Sequence, residues 1–451
     1  LADLPSPEQP APTAAPNEAA AMDILLPRDE KDVLAVVEAA VANRTPLEIM
    51  GFGSKTGLGG PVTAEKCLSL SALSGVTLYE PAELVLRAHA GTPLREIQAL
   101  LAQNGQELAF EPMDHGDLYG LTKNDRIKGG TIGGTVAVNA SGPRRIRAGA
   151  ARDHLLGFQA VSGRGEIFKS GGRVMKNVTG YDLSKLLAGS HGTLAIMTEV
   201  TLKVLPRPEN EESVVVSNLT EDQALALLRM ATGLPYDISS FSCLPEGSLL
   251  GLARGPIAIL RIEGPHLSVQ KRKEEIITFF RKQAMFAKGQ YDLLQEAVSR
   301  EFWSAVRDAL PVTAISGQVW RLSTAPTEAA PLVTAIHAAG VPILRWFYDW
   351  AGGLIWLCIE PSTDAHAEPI RAAVDRFGGH ATLMRADDCI RAQTPVFHPQ
   401  ATALAALSQR VKLAFDPLSL LNRDKFGKNF EPRISDPKSS DSKPEQQTHN
   451  S

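Results

Sequence analysis

The sequence predicts an α+β protein of two domains, and three observations carry that prediction. The chain has 451 residues, too many for one ordinary core when domains of about 100 to 200 residues are the usual solution. Up to Val204 short apolar runs of strand character alternate with helical stretches, and Pro206 and Pro208 then interrupt the pattern. Beyond them a strand, helix, strand rhythm runs through twice.

Residues 1–21 hold five prolines and seven alanines and too little branched apolar surface to offset ordering entropy, so a disordered lead-in is expected. Asp29 can cap a helix whose Val33, Val36, Val37, Ala40 and Val41 recur at helical spacing and which stops near Asn43 and Arg44. Strands are expected at 47–50, 62–70, 84–90, 156–161, 165–169 and 194–204, with a helix at 93–103. In the second part, strands at 213–217, 257–262, 318–323, 344–350 and 354–359 alternate with helices at 221–231, 268–283 and 329–339. Gly352-Gly353 suits a primed hairpin turn, with Trp346, Tyr348 and Trp350 sharing one face of the strand before it. Two such units fit an antiparallel sheet with helices on one side, a cap of ferredoxin-like character. The expected organisation is a first domain over 22–206, a cap over 207–400, a segment 401–430 returning to the first domain, and a disordered Pro/Ser-rich tail over 431–451.

A net charge of −4 and a pI near 6.3 leave no basic field for nucleic acid. No apolar run reaches the roughly 18 residues of a spanning helix, and no n-region or h-region opens the chain, so a cytosolic location is expected, or a peripheral one at a membrane through partners. Cys67, Cys243, Cys358 and Cys389 form no CxxC unit, which leaves no ligand set for a structural zinc or an iron–sulfur cluster; no metal is expected.

Two glycine-dense segments carry the chemistry. Gly51-Phe52-Gly53-Ser54-Lys55-Thr56-Gly57-Leu58-Gly59-Gly60 holds five glycines in ten positions, a density that lets backbone N–H groups converge on a phosphate-sized anion. It is no Walker loop, because Ser54 precedes Lys55-Thr56 and a strand follows, and no dinucleotide fingerprint, because Thr56 replaces the third glycine. A plain turn remains the alternative. Gly129-Gly130-Thr131-Ile132-Gly133-Gly134 through Asn139-Ala140-Ser141-Gly142 is a small-residue run suited either to a flat ligand with phosphates or to a tight helix-on-sheet contact.

With Gly171–Leu183 and Gly189-Ser190-His191-Gly192-Thr193-Leu194, these segments resemble in order and spacing the vanillyl-alcohol oxidase and p-cresol methylhydroxylase (PCMH-type) family of FAD proteins, over residues 22–206. The resemblance implies a PCMH-type FAD-binding domain whose first loop, Gly51, Gly53, Ser54, Lys55, Thr56, Gly57 and Leu58, cradles the FAD pyrophosphate. Gly130, Thr131, Gly133, Asn139, Ser141 and Gly142 would line the other side, with Ile196 a backbone contact. Covalent members use a His or Cys tether, and none stands in this loop, which implies non-covalent FAD.

Cap segments Trp320-Arg321-Leu322-Ser323, Asp349–Trp356, Gly379–Ala386 and Phe415-Asp416-Pro417 with Leu421-Asn422 resemble the FAD-binding E subunits of bacterial glycolate oxidases. That implies oxidation of a small 2-hydroxy acid, glycolate, in a complex with a sister FAD-linked catalytic subunit and an iron–sulfur subunit. Self-sufficient oxidation of another 2-hydroxy acid, and a non-catalytic flavin-bearing subunit, are the alternatives. The usual Asn-Pro-Gly ending is here Asn422-Arg423-Asp424. Catalytic sister subunits carry a His-Gly-Asp-Gly-Asn-x-His stretch that this chain lacks, which favours the non-catalytic alternative over the self-sufficient one. His380 and His398 are the active-site candidates among the scattered histidines, against the commoner reading of a lone histidine as a satisfied structural residue, and His380 is the catalytic candidate. Arg321 and Arg385 suit a carboxylate because a guanidinium fork matches its two oxygens, against ordinary ion pairs as the alternative. Trp320, Trp350 and Trp356 could wall a flavin or form cap core.

Overall fold

The computed structural model describes residues 22–121, 129–172, 181–247 and 255–427. The expected lead-in and the whole of the expected tail, together with Arg173–Gly180 of the third glycine segment, lie outside them.

β1 (Asp23–Leu25), β2 (Leu47–Met50) and β3 (Lys66–Ser69) form a parallel sheet in the order β1-β3-β2. The helix Glu30–Asn43 covers it; the Asp29 carboxylate accepts the Asp32 N–H at 2.8 Å, and Arg44 closes the helix in the left-handed region at φ 54°. Next come β4 (Val76–Glu80), β5 (Val85–His89), β6 (Gln106–Glu107), β7 (Leu155–Ser162), β8 (Ile167–Gly171) and β9 (Ala195–Lys203). An antiparallel sheet runs β4-β5-β9-β7-β8, and the pair of β10 (Leu205–Pro206) with β6 closes this part. Val33, Val37, Leu47, Leu86, Ile97, Val136 and Val200 share one buried core. Leu420 and Leu421 complete it from the far end of the chain, where the Leu47 N–H donates to the Leu420 carbonyl at 2.8 Å.

The cap holds one antiparallel sheet of eight strands: β11 (Asn210–Ser217), β12 (Ile238–Leu244), β13 (Ile257–Gly264), β14 (Gln290–Leu294), β15 (Gln318–Ser323), β16 (Ile343–Asp349), β17 (Leu354–Ile359) and β18 (His380–Arg385). Its order, β14-β11-β13-β12-β16-β17-β15-β18, resolves into two βαββαβ units joined edge to edge at β12 and β16. Helices Glu221–Thr232, His266–Arg281, Ala329–Ala338 and Ala367–Phe377 cover one face through a core that includes Leu225, Ile276, Ile336 and Val374. The sheet is not covered on that side alone. The helix Glu296–Arg307 packs Phe302, Trp303 and Val306 on the opposite face, whose remainder looks onto the first domain.

One strand has no counterpart among the expectations, and one expected turn needs correction. The sequence Ile-Ser-Ser-Phe-Ser-Cys-Leu of β12 reads as polar, yet it forms a central strand buried on both faces. Its hydroxyls are satisfied sideways: Ser242 donates to the Tyr348 carbonyl at 2.8 Å, and Ser240 accepts from Arg261 Nε at 3.0 Å. The β16–β17 connection is not a two-glycine turn. Trp350 and Ala351 take positive φ, 53° and 55°, ahead of Gly352, so Trp350 leaves the strand alternation and packs on the face opposite Trp346 and Tyr348.

Candidate active site

Two adjoining cavities share Val138 and His191 in their walls. The smaller, about 80 Å³, is lined by Gly51, Gly53, Ser54, Lys55 and Thr56 of the first loop, by Thr131 and Gly134, and by Asn422 and Lys425. Burial pulls Lys55 and Lys425 each down to about 8, Asp114 opposing the shift at Lys55 and Arg391 adding to it at Lys425. Two desolvated ammonium groups beside loop backbone, with Glu48 the one carboxylate of that lining, fit a pyrophosphate. Gly51 permits the approach of the second segment: a Cβ there would stand 2.4 Å from Thr131 Cγ2.

The larger cavity, about 330 Å³, lies between first domain and cap. Leu58, Met113, His115, Val138, Asn139, Ser141 and Arg145 come from one side; Arg321, Trp350, Trp356, His380 and Met384 come from the other. Arg145 and Arg321 each hold their guanidinium carbon 5.2 Å from the Trp350 ring centre. Burial first, then the neighbouring Arg145, lower Arg321 to about 10. Arg321 makes no hydrogen bond or ion pair among the described residues, and Arg145 donates to Ser141 Oγ at 2.9 Å. Burial and these two cations also lower His380. A space walled by both polar and apolar side chains, with converging cations, is suited to a small carboxylate next to a flat ring.

Several expected site residues make their nearest contacts with other parts of the protein. Gly57 packs against protein, where a Cβ would stand 2.6 Å from the Tyr119 ring, and it lies outside the two cavity linings. Gly130, at φ 81°, packs on Ser54 and Lys55. Gly133 lets the short helix Ile132–Ala137 lie on Ala90, the helix-on-sheet alternative. Gly142 closes on Glu111, and its carbonyl accepts from Trp350 Nε1 at 3.1 Å. Ile196 lies in the first-domain core, outside both cavity linings. Arg385 spends its guanidinium on the carbonyls of Gly317, Thr313 and Ile315, at 2.9, 3.1 and 2.7 Å, and is an anchor under the sheet. Trp320 is cap core, whereas Trp350 and Trp356 do wall the cavity. His398 sits behind the site, bonded to Asp375 and accepting the Ala381 N–H.

Arg145, His115, Asn422 and Lys425 were not singled out by spacing. Asn422, at φ 44°, accepts the Ile49 N–H at 2.7 Å and donates to the His191 carbonyl at 2.7 Å. The departure from Asn-Pro-Gly thus leaves the asparagine's clamp in place.

Residues 23–171 match the family model described as FAD binding domain. The chain is 33% identical over 391 residues to glycolate oxidase subunit GlcE of Escherichia coli, covering 86% of this chain and 95% of that protein. It is 26% identical to glycolate oxidase subunit GlcD of Bacillus subtilis over 91% of this chain and 90% of that protein. In fold it resembles 4-ethylphenol oxidase from Gulosibacter chungangensis, with a TM-score of 0.66, 15% identity and coverage of 90% and 88% of the two chains. Matched along nearly its whole length by one relative and in its first domain by the family model, the chain belongs to the PCMH-type family of FAD-dependent oxidoreductases, in its glycolate oxidase group.

Proposed function

We propose that the chain is the FAD-binding subunit of a glycolate oxidase and oxidises glycolate, or a 2-hydroxy acid of similar size, to the 2-oxo acid. The observation that carries this reading is Arg321, a cavity guanidinium with no anionic partner at bonding distance among the described residues, set with Arg145 against Trp350. A carboxylate meets both forks there. His380 adds an imidazole on the same wall, and Trp350, Trp356, Met384 and Leu58 exclude water around the reacting carbon.

Lys55, Lys425 and the Gly51–Thr56 backbone hold the FAD pyrophosphate non-covalently, while Asn139 and Ser141 lie toward the substrate side. Bound FAD supplies the two-electron acceptor for the hydride on the hydroxyl-bearing carbon. The subunit names of the two glycolate oxidase relatives support a multi-subunit complex; within it we assign onward electron transfer to a sister FAD-linked chain and an iron–sulfur subunit.

Arg321→Met, assayed in the purified complex with glycolate and an artificial acceptor, tests the reading. The expected result is FAD per chain unchanged and kcat/KM lowered roughly 10²-fold, equivalent to about 2 to 3 kcal/mol of charge-assisted hydrogen bonding. An unchanged kcat/KM removes the carboxylate site and leaves a flavin-bearing structural subunit.

A further inference from the structure

Proton removal from the substrate hydroxyl needs a positioned base, and the chain lacks the histidine-rich stretch that supplies one in sister subunits. The larger cavity contains a histidine that sequence spacing did not mark. His115 is 5% exposed and lines the same space as Arg145, Arg321 and His380. Its Nδ1 stands 3.1 Å from the Met113 carbonyl, which can only accept, so Nδ1 carries the hydrogen and Nε2 carries the lone pair. Among the described residues Nε2 has no hydrogen-bond partner. The ring is held parallel to Tyr119, with centres 6.0 Å apart and planes 14° from parallel. Fixed tautomer, fixed plane and a free lone pair in the cavity wall are what a general base requires. His380 has no such anchor among the described residues, and its neighbours are the two carboxylate-binding arginines.

We infer that His115 is the base that takes the substrate hydroxyl proton, an assignment that rests on the carboxylate reading above. The proton passes to Nε2, the electron pair of the O–H bond becomes the second carbon–oxygen bond, and the Cα hydrogen leaves as hydride to the flavin acceptor. The 2-hydroxy acid is oxidised by two electrons, which bound FAD would accept. The charged groups that act on the imidazole are Lys55 and Asp114. Burial first, then Lys55, lower its pKa to about 3. A pyrophosphate held by Lys55 would offset that cation, so loading the cofactor would make His115 more basic.

His115→Asn tests this in the purified complex, because the asparagine amide keeps a donor for the Met113 carbonyl while Nε2 disappears. FAD per chain is expected to match the parent. Oxalate, a carboxylate probe with no hydrogen to lose, is expected to perturb the flavin absorption as in the parent. The kcat with glycolate and an artificial acceptor should fall on the order of 10²- to 10⁴-fold, and the acidic limb of the kcat/KM profile should vanish. A variant within tenfold of the parent overturns the assignment. Loss of FAD overturns it too, by making His115 a cofactor-holding residue. If oxalate leaves the parent's flavin spectrum untouched, the carboxylate reading fails and takes this assignment with it, so the two failures are told apart.

Discussion

Lys55 and Lys425 show how single side chains can report on a ligand. Both are lowered to about 8 by burial, and a bound pyrophosphate favours their charged forms. Binding above pH 8 must therefore be accompanied by proton uptake, and FAD affinity should be constant below about pH 7 and fall as pH rises past 8. If FAD is non-covalent, acid precipitation releases all of it, and fluorescence titration of renatured apoprotein at pH 7 and 9.5 measures the effect. Flavin left in the pellet would refute non-covalent binding; equal affinities at the two pH values would remove the lysines from the site. Arg321 and Arg385 make the complementary point. Both are arginines on adjacent cap strands, yet one ends in a cavity and the other on three carbonyls, a difference no spacing rule expresses.

For the elements, the first loop is shaped as much by packing as by its ligand. Gly57 has no room for a Cβ because Tyr119 occupies the space, so Gly57→Ala should destabilise the protein by about 1 to 3 kcal/mol through overpacking. Adding Tyr119→Leu should return part of that loss, a coupling that urea unfolding of the two single variants and the double variant would reveal. Strictly additive effects would show that the obstruction lies elsewhere. The β12 strand carries a related lesson. Its serines give it no apolar alternation, yet hydrogen bonds to Arg261 and Tyr348 make a central strand of it, and through it the two βαββαβ units become one sheet.

In the whole molecule, first domain and cap are joined by a buried ionic network. Arg261 Nη1 and Nη2 donate to both Glu111 oxygens at 2.8 and 2.7 Å, and Arg144 pairs with Glu107 and Glu263. Attraction to Arg261 and Arg144 outweighs desolvation and holds Glu111 down to about 2. Arg261→Met should cost about 3 to 5 kcal/mol, because it leaves Glu111 buried with a weakened partner set. Denaturant unfolding should show that loss, and a change below 1 kcal/mol would mean the network contributes little to joining the two parts. Trp350 Nε1 on the Gly142 carbonyl is a second tie, and it positions the ring on which Arg145 and Arg321 stack.

The sequence alone determined the α+β class, the helix from Glu30, most cap strands and the glycine-dense loop that lines the smaller cavity, because glycine density, capping residues and apolar periodicity are local signals that act within a few residues. It also pointed to Arg321 and His380, both in the cavity wall, through a family resemblance carried by short cap segments. Tertiary structure alone decided that Gly57, Gly130, Gly133 and Gly142 serve packing against Tyr119, the first loop, Ala90 and Glu111. It also brought His115 and Arg145 of the first domain opposite Arg321 of the cap. Those partners lie far apart along the chain, and their meeting depends on how two separately patterned sheets close on each other, information that no local window contains.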